Sequence, residues 1–183
     1  MKTTTVILFS LLLAINTFVS AQVGKIFPDM TAETATNKSV TIPNDTKGKY
    51  TLLGLAYSKK SEGDLNTWFS PIYDKFIRAS ADAGIFASFT YDVNVYFVPM
   101  FSGVKAAAAG IAKKKAIKNV EPEILPHILF FKGNIKTYKE ALGFEKKDVP
   151  YFFVLDPDGK IVHATSGKFT EKKMDAVERV IED

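Results

Sequence analysis

The sequence predicts an α/β fold: a mixed central sheet flanked by helices, with a C-terminal β-hairpin and helix. Two observations carry this. After Pro150, residues 151–155 form an unbroken apolar run of aromatic and aliphatic side chains, as a strand buried on both faces requires. Asp156-Pro157-Asp158-Gly159 then supplies turn chemistry, and residues 160–165 return as an antiparallel partner. The second observation lies upstream, where a helical pattern separates the strand runs 50–57 and 93–98. A helix between successive strands implies a crossover and parallel pairing.

Taken in order, residues 1–21 read as a signal peptide. Lys2 provides a positive start, residues 6–15 an apolar centre, and Val19-Ser20-Ala21 a small-residue cleavage pattern before Gln22. The run is short of the about 20 residues that span a bilayer, and no integral membrane span is expected in the rest of the chain. Residues 22–47 form an N-terminal extension in which Ser39-Val40-Thr41-Ile42 makes a short edge strand. Residues 48–183 form the main domain, with an insert around 120–148. Residues 50–57 are the first central strand, followed by a polar loop over 58–63. Asp64 is expected to cap a helix in which Leu65, Trp68, Phe69, Ile72, Tyr73, Phe76 and Ile77 recur at spacings of three and four. Pro71 should kink it and Gly84 should end it.

The strand at 93–98 should stop at Pro99. Residues 103–119 are helical by propensity, with Val104, Ala108, Ile111 and Ile117 expected in the core and Lys113, Lys114 and Lys115 on a solvated face. A short apolar run over 127–131, helical turns over 136–142 and a final helix over 170–181 complete the chain.

Composition narrows the chemistry. The 24 basic and 20 acidic residues leave a net charge of +4, spread along the chain, which argues against a nucleic-acid partner. The chain has no cysteine, so thiol redox, sulfenate and thiolate-metal chemistry are excluded for its own side chains. His127 and His163 are far apart and lack a carboxylate at ligand spacing, and Asp156 and Asp158 are turn formers. No metal or other cofactor is expected.

The order strand, kinked helix, strand, helix, insert, proline, strand, turn, strand, helix resembles the thioredoxin fold. The likeness rests on residues 50–57, the helix containing Pro71, Val149-Pro150, and residues 151–162 followed by Gly167. It covers roughly residues 48–183, and the run 150–167 closely resembles the C-terminal part of periplasmic thioredoxin-like and peroxiredoxin-like proteins. It implies a cis bond before Pro150 and a backbone at Val149 that pairs with an extended segment of a client protein. A narrower likeness rests on Trp68-Phe69, Ile128-Leu129-Phe130-Phe131-Lys132-Gly133, Leu155-Asp156 and Ala164-Thr165-Ser166-Gly167. These are similar in layout to the thioredoxin-like assembly factor of mitochondrial ATP synthase, a family that implies a chaperone or assembly role. The export signal argues against the same partner.

In thioredoxins two cysteines sit at the start of the first helix. Counting back from Pro71 places them at Gly63 and Asn66; counting forward from the strand places them at Ser58 and Ser61 of Ser58-Lys59-Lys60-Ser61. Neither supplies a thiol. A serine–lysine hydrolase and an anion site at Lys59 and Lys60 are the alternative uses of that loop. Trp68 is either core or, if exposed, an anchor for a partner. Pro150 either presents Val149 for strand addition or only fixes the turn. The expectation is an exported, redox-inactive thioredoxin-like protein, periplasmic or secreted, that binds a protein or peptide partner as a chaperone, assembly factor or adaptor. The binding candidates are Val149, Pro150, Trp68, Ser58, Lys59, Lys60 and Ser61.

Overall fold

The computed structural model describes residues 22–78 and 91–182; the expected signal peptide, Gly84 and the side chain of Val104 lie outside the described residues. Side chains alternate across a strand, so an apolar run can feed two hydrophobic layers at once. Strand β3 (Tyr50–Ala56) and strand β6 (Tyr151–Leu155) both do this. Leu53, Leu55, Tyr151, Phe153 and Leu155 enter one layer, while Leu52, Ala56, Phe152 and Val154 enter the other. The two strands pair antiparallel at the middle of a five-stranded sheet. Strand β4 (Val93–Phe101) lies parallel to β3, and β5 (Phe131–Lys132) parallel to β4. Strand β7 (Ile161–Ser166) closes the other edge as the antiparallel hairpin partner of β6. This is the mixed, helix-flanked sheet of a thioredoxin-like fold.

One face carries helix α1 (Lys59–Asn66), a short α2 (Phe69–Ile72), a π-helical turn over Tyr73–Arg78 and the C-terminal α5 (Glu171–Glu182). Leu65, Trp68, Ile72, Phe76, Met174, Val177 and Ile181 fill this layer. The opposite face is covered by α4 (Lys136–Leu142) and by a separate antiparallel ribbon of β1 (Met30–Glu33) and β2 (Ser39–Ile42). Helix α3 (Ala108–Asn119) packs at the β5 end with Phe101, Ile124, Ile128 and Phe130.

Several expectations are corrected. The first helix starts at Lys59, not after Asp64, because Ser58 and Ser61 cap it reciprocally; the Asp64 carboxylate instead lies 3.7 Å from the Lys168 ammonium. The helix breaks at Thr67 and Trp68, one turn before Pro71, where proline has no N–H for the Thr67 carbonyl. Strand β4 runs through Pro99, which pairs with Ala56 where β3 ends, so the missing donor falls at the end of that ladder. Ile111 and Ile117 are 61% and 53% exposed, and Ala109 is the buried residue of α3. Ser39–Ile42 is a strand as expected, but its partner β1 gave no comparable signal.

Gly54 lies under the first helix, where an added Cβ would stand 2.7 Å from the Phe152 ring and 2.8 Å from Leu65. Gly54→Ala should therefore destabilise by about 1–3 kcal/mol. Gly110→Ala on exposed α3, where nothing lies within 4 Å, should stabilise by up to about 1 kcal/mol. Urea midpoints at constant slope distinguish the two, and equal shifts would contradict the packing described here.

Candidate functional site

At the end of β3 the chain passes through Tyr57 and extended Ser58 (φ −141°, ψ 158°) into α1. The Ser58 hydroxyl accepts from the Ser61 amide at 3.0 Å, and the Ser61 hydroxyl accepts from the Ser58 amide at 2.9 Å and the Tyr57 amide at 3.2 Å. Each hydroxyl has one proton to give. That of Ser61 goes to the Ser58 carbonyl at 2.9 Å; that of Ser58 reaches the Asp148 carboxylate at 2.9 Å, the stronger acceptor of those in reach. Ser58 and Ser61 are thus buried capping residues rather than members of a wet loop, and Lys59 and Lys60 between them are exposed. Ser58 and Ser61 of the forward count stand at the start of α1, while Gly63 and Asn66 of the backward count fall further along it.

Asp148 belongs to the segment that leads from α4 into β6. Gly143, at φ +66°, ends α4 in the left-handed conformation that reverses the chain. Phe144 then stacks between Tyr57 and Tyr151, with centroids 5.5 and 4.5 Å away. The hydroxyls of Tyr57 and Tyr151 both donate to the Lys146 carbonyl at 3.1 Å, and Tyr151 also accepts from the Lys146 amide at 2.7 Å. The Lys139 ammonium sits 5.3 Å from the centre of the Tyr57 ring. Burial first, then neighbouring Tyr151 and Asp148, push the Tyr57 hydroxyl up to about 12, which keeps it a proton donor.

Val149 is half-buried and forms no hydrogen bond to another described residue. Pro150 is buried, and its carbonyl accepts from the Gly167 amide at 2.9 Å. The expected cis bond is absent: among the described residues the cis peptide is Ile42–Pro43, and Val149–Pro150 is trans. The approach is held at Lys146 and Asp148 by hydrogen bonds, and pairing with the β7 end begins already at Pro150. A trans bond carries the chain between those two anchors. Trp68 is also corrected as a surface anchor. It is fully buried against Phe152 and Phe169, and its indole N–H donates to the Gly167 carbonyl at 3.0 Å.

The structure therefore brings together Ser58, Ser61, Val149 and Pro150, leaves Lys59 and Lys60 on the rim, and removes Trp68. Asp148, Tyr57, Phe144 and Tyr151 were missed. Asp148 is ninety residues from Ser58 and carries no local signal; the S-x-x-S capping pattern was readable. A cavity of about 850 Å³ opens between β1 and α3 and one of about 660 Å³ beside α4, but neither is lined by Ser58, Ser61 or Pro150. Among the described residues no group of three or more acidic or histidine side chains is placed to hold a metal. His127 donates its Nδ1–H to the Val95 carbonyl at 3.0 Å, and His163 Nε2 is buried without a partner among the described residues.

A sequence model of the family described as ATP10 protein matches residues 11–183. The chain belongs to the ATP10 protein family. Known structures agree with the fold of this ATP10-family chain at low identity. A protein described as a disulfide isomerase, from Bacteroides thetaiotaomicron, is 17% identical with a TM-score of 0.59, covering 87% of this chain and 88% of that one. The pneumococcal exposed lipoprotein thioredoxin Etrx1 from Streptococcus pneumoniae is 19% identical with a TM-score of 0.53, covering 85% and 98%. Yeast Sco1, solved with copper bound, is 17% identical with a TM-score of 0.52, covering 87% and 94%. At these identities the likeness establishes the thioredoxin-like fold. No curated protein matches the chain at significance.

Two predictions follow from this geometry. Ser58→Ala should destabilise by about 1 kcal/mol through loss of the cap, and a double-mutant cycle with Asp148→Ala should show coupling of at least about 0.5 kcal/mol. Strict additivity would mean that the hydrogen bond contributes nothing. Burial lowers the pKa of both His127 and His163 below 6.5, so the unfolded chain takes up protons first as pH falls. The stability they contribute is fully present above 6.5 and is lost as pH drops from there through the folded-state values. A urea midpoint that declines across this window, with a flatter profile in the His127→Gln/His163→Gln double variant, is the expected result.

Proposed function

We propose that this chain is an assembly or adaptor protein that holds an extended segment of a partner protein against the rim formed by Val149, Pro150 and the first turn of α1. The observation that carries the reading is the backbone of half-buried Val149, unpaired among the described residues, beside a helix start where the Ser58 and Ser61 hydroxyls are already hydrogen-bonded. An extended segment can add hydrogen bonds there without disturbing the cap. Membership of the ATP10 protein family supports protein partners, and the fold is one shared with exported proteins. Hydrolysis is not favoured, because the Ser58 proton is directed at Asp148 and none of the hydrogen bonds of Ser58 or Ser61 involves a lysine or histidine. Export with cleavage before Gln22 is part of the proposal, as is the absence of redox activity implied by a chain without cysteine.

A photo-crosslinker placed at Val149 or Lys60 should capture the same partner in cells, and one at exposed Lys172 on α5 should not. Equal yields from all three positions would remove the rim from consideration. Mass spectrometry of the native protein should find Gln22 at the N-terminus, and an intact Met1 would remove the export step.

A further inference from the structure

Helix α3 is amphipathic in the reverse of the usual sense. Its small residues Ala109, Ala112 and Ala116 face the protein, packing with the cluster of Phe101 and Phe130, while Ile111 and Ile117 point out, 61% and 53% exposed. A helix that only covered the sheet edge would bury its isoleucines and expose its alanines. Lys114, Lys115 and Lys118 follow Ile111 at three, four and seven residues, which places all four on one face, and all three lysines are exposed. Lys113 stands apart. It is bound to Glu33 at 2.7 Å and Asn37 at 2.8 Å against β1. No acidic residue occurs between Asp92 and Glu121 in the sequence, and Glu121 and Glu123 come only after the end of α3 at Asn119. The exposed residues of α3 are thus Gly110, Ile111, Lys114, Lys115, Ile117, Lys118 and Asn119.

We propose that this face of α3 docks on an anionic lipid surface, with Ile111 among the lysines and Ile117 at the edge of the face, about 120° round the helix, entering the headgroup boundary and Lys114, Lys115 and Lys118 meeting the phosphates. The residue types favour lipid over an acidic protein. Protein interfaces are depleted in lysine and draw on tyrosine, tryptophan and arginine, none of which occurs on α3. Lysines around an aliphatic side chain suit an interfacial helix, because their stems lie along apolar surface while the ammonium groups reach anionic headgroups. Among the described residues no helix is long and apolar enough to cross a membrane, so the contact is peripheral. It is independent of the Val149 rim.

Co-sedimentation of the full chain with phosphatidylcholine vesicles, and with vesicles that also contain phosphatidylglycerol, tests the proposal. The chain should bind the anionic vesicles more tightly and lose that binding as salt rises. Lys114→Gln/Lys115→Gln/Lys118→Gln should weaken it about a hundredfold, at about fivefold per lysine. Ile111→Ser/Ile117→Ser should also weaken it, and unchanged thermal unfolding of both variants shows that folding is not the cause. Equal binding to neutral and anionic vesicles, no binding to either, or variants that bind like the parent would overturn the proposal. Binding to soluble polyglutamate with none to vesicles would overturn it in favour of an acidic protein partner.

Discussion

The pairing of β3 with β6 is the interaction on which the rest of the molecule depends. Both strands are apolar on both faces, so neither can be satisfied until each face is covered. Their register sets Leu53 opposite Phe153 and Gly54 opposite Phe152, which fixes where each layer is thick and where it is thin. The Phe152 ring occupies the space that a side chain at residue 54 would take, and Trp68 stacks on that ring at 4.1 Å. The position of the first helix follows from this contact. The tryptophan then reaches the Gly167 carbonyl and ties the helix to the far end of the β7 hairpin.

The start of the first helix inherits its surroundings from the same framework. In a thioredoxin-like fold this turn is where a thiolate would be stabilised by the helix dipole and free amides. Here the turn carries two serines whose polar atoms are consumed by one another, by the backbone and by Asp148. At this turn the two serines act as reciprocal helix caps. The stack of Tyr57, Phe144 and Tyr151 fastens the neighbouring segment, and the Val149 backbone beside it is unpaired among the described residues.

Much of this architecture could be read from residue order. The hairpin around Asp156-Pro157-Asp158-Gly159 and the spacing of Leu65, Ile72 and Phe76 are local patterns with one strong structural solution each. The likeness to the thioredoxin-like assembly factor of mitochondrial ATP synthase rested on four short segments, Trp68-Phe69, 128–133, Leu155-Asp156 and 164–167, spread over the broken first helix, the sheet and its hairpin. The errors have a common origin. Asp64 has the chemistry of a helix cap, but Ser58 and Ser61 form a better one a turn and a half earlier. Pro150 matched a position where a family uses a cis bond, yet local hydrogen bonds at Lys146 and Asp148 hold a trans path. Ile111 and Ile117 look like core residues by type, and only the packing of Ala109 shows which way the helix faces.

The sequence by itself determined the α/β class, the hairpin, the helical faces that cover the central strands, and the exclusion of thiol chemistry. Each depends on periodicity, turn residues or residue type, which act over a few neighbours or not at all through space. The tertiary structure decided which serines stand at the vacated helix start, that Asp148 joins them, that Trp68 is core, and that α3 turns its isoleucines outward. Those outcomes depend on contacts between residues distant in the chain, and on a competition for burial that local pattern cannot resolve.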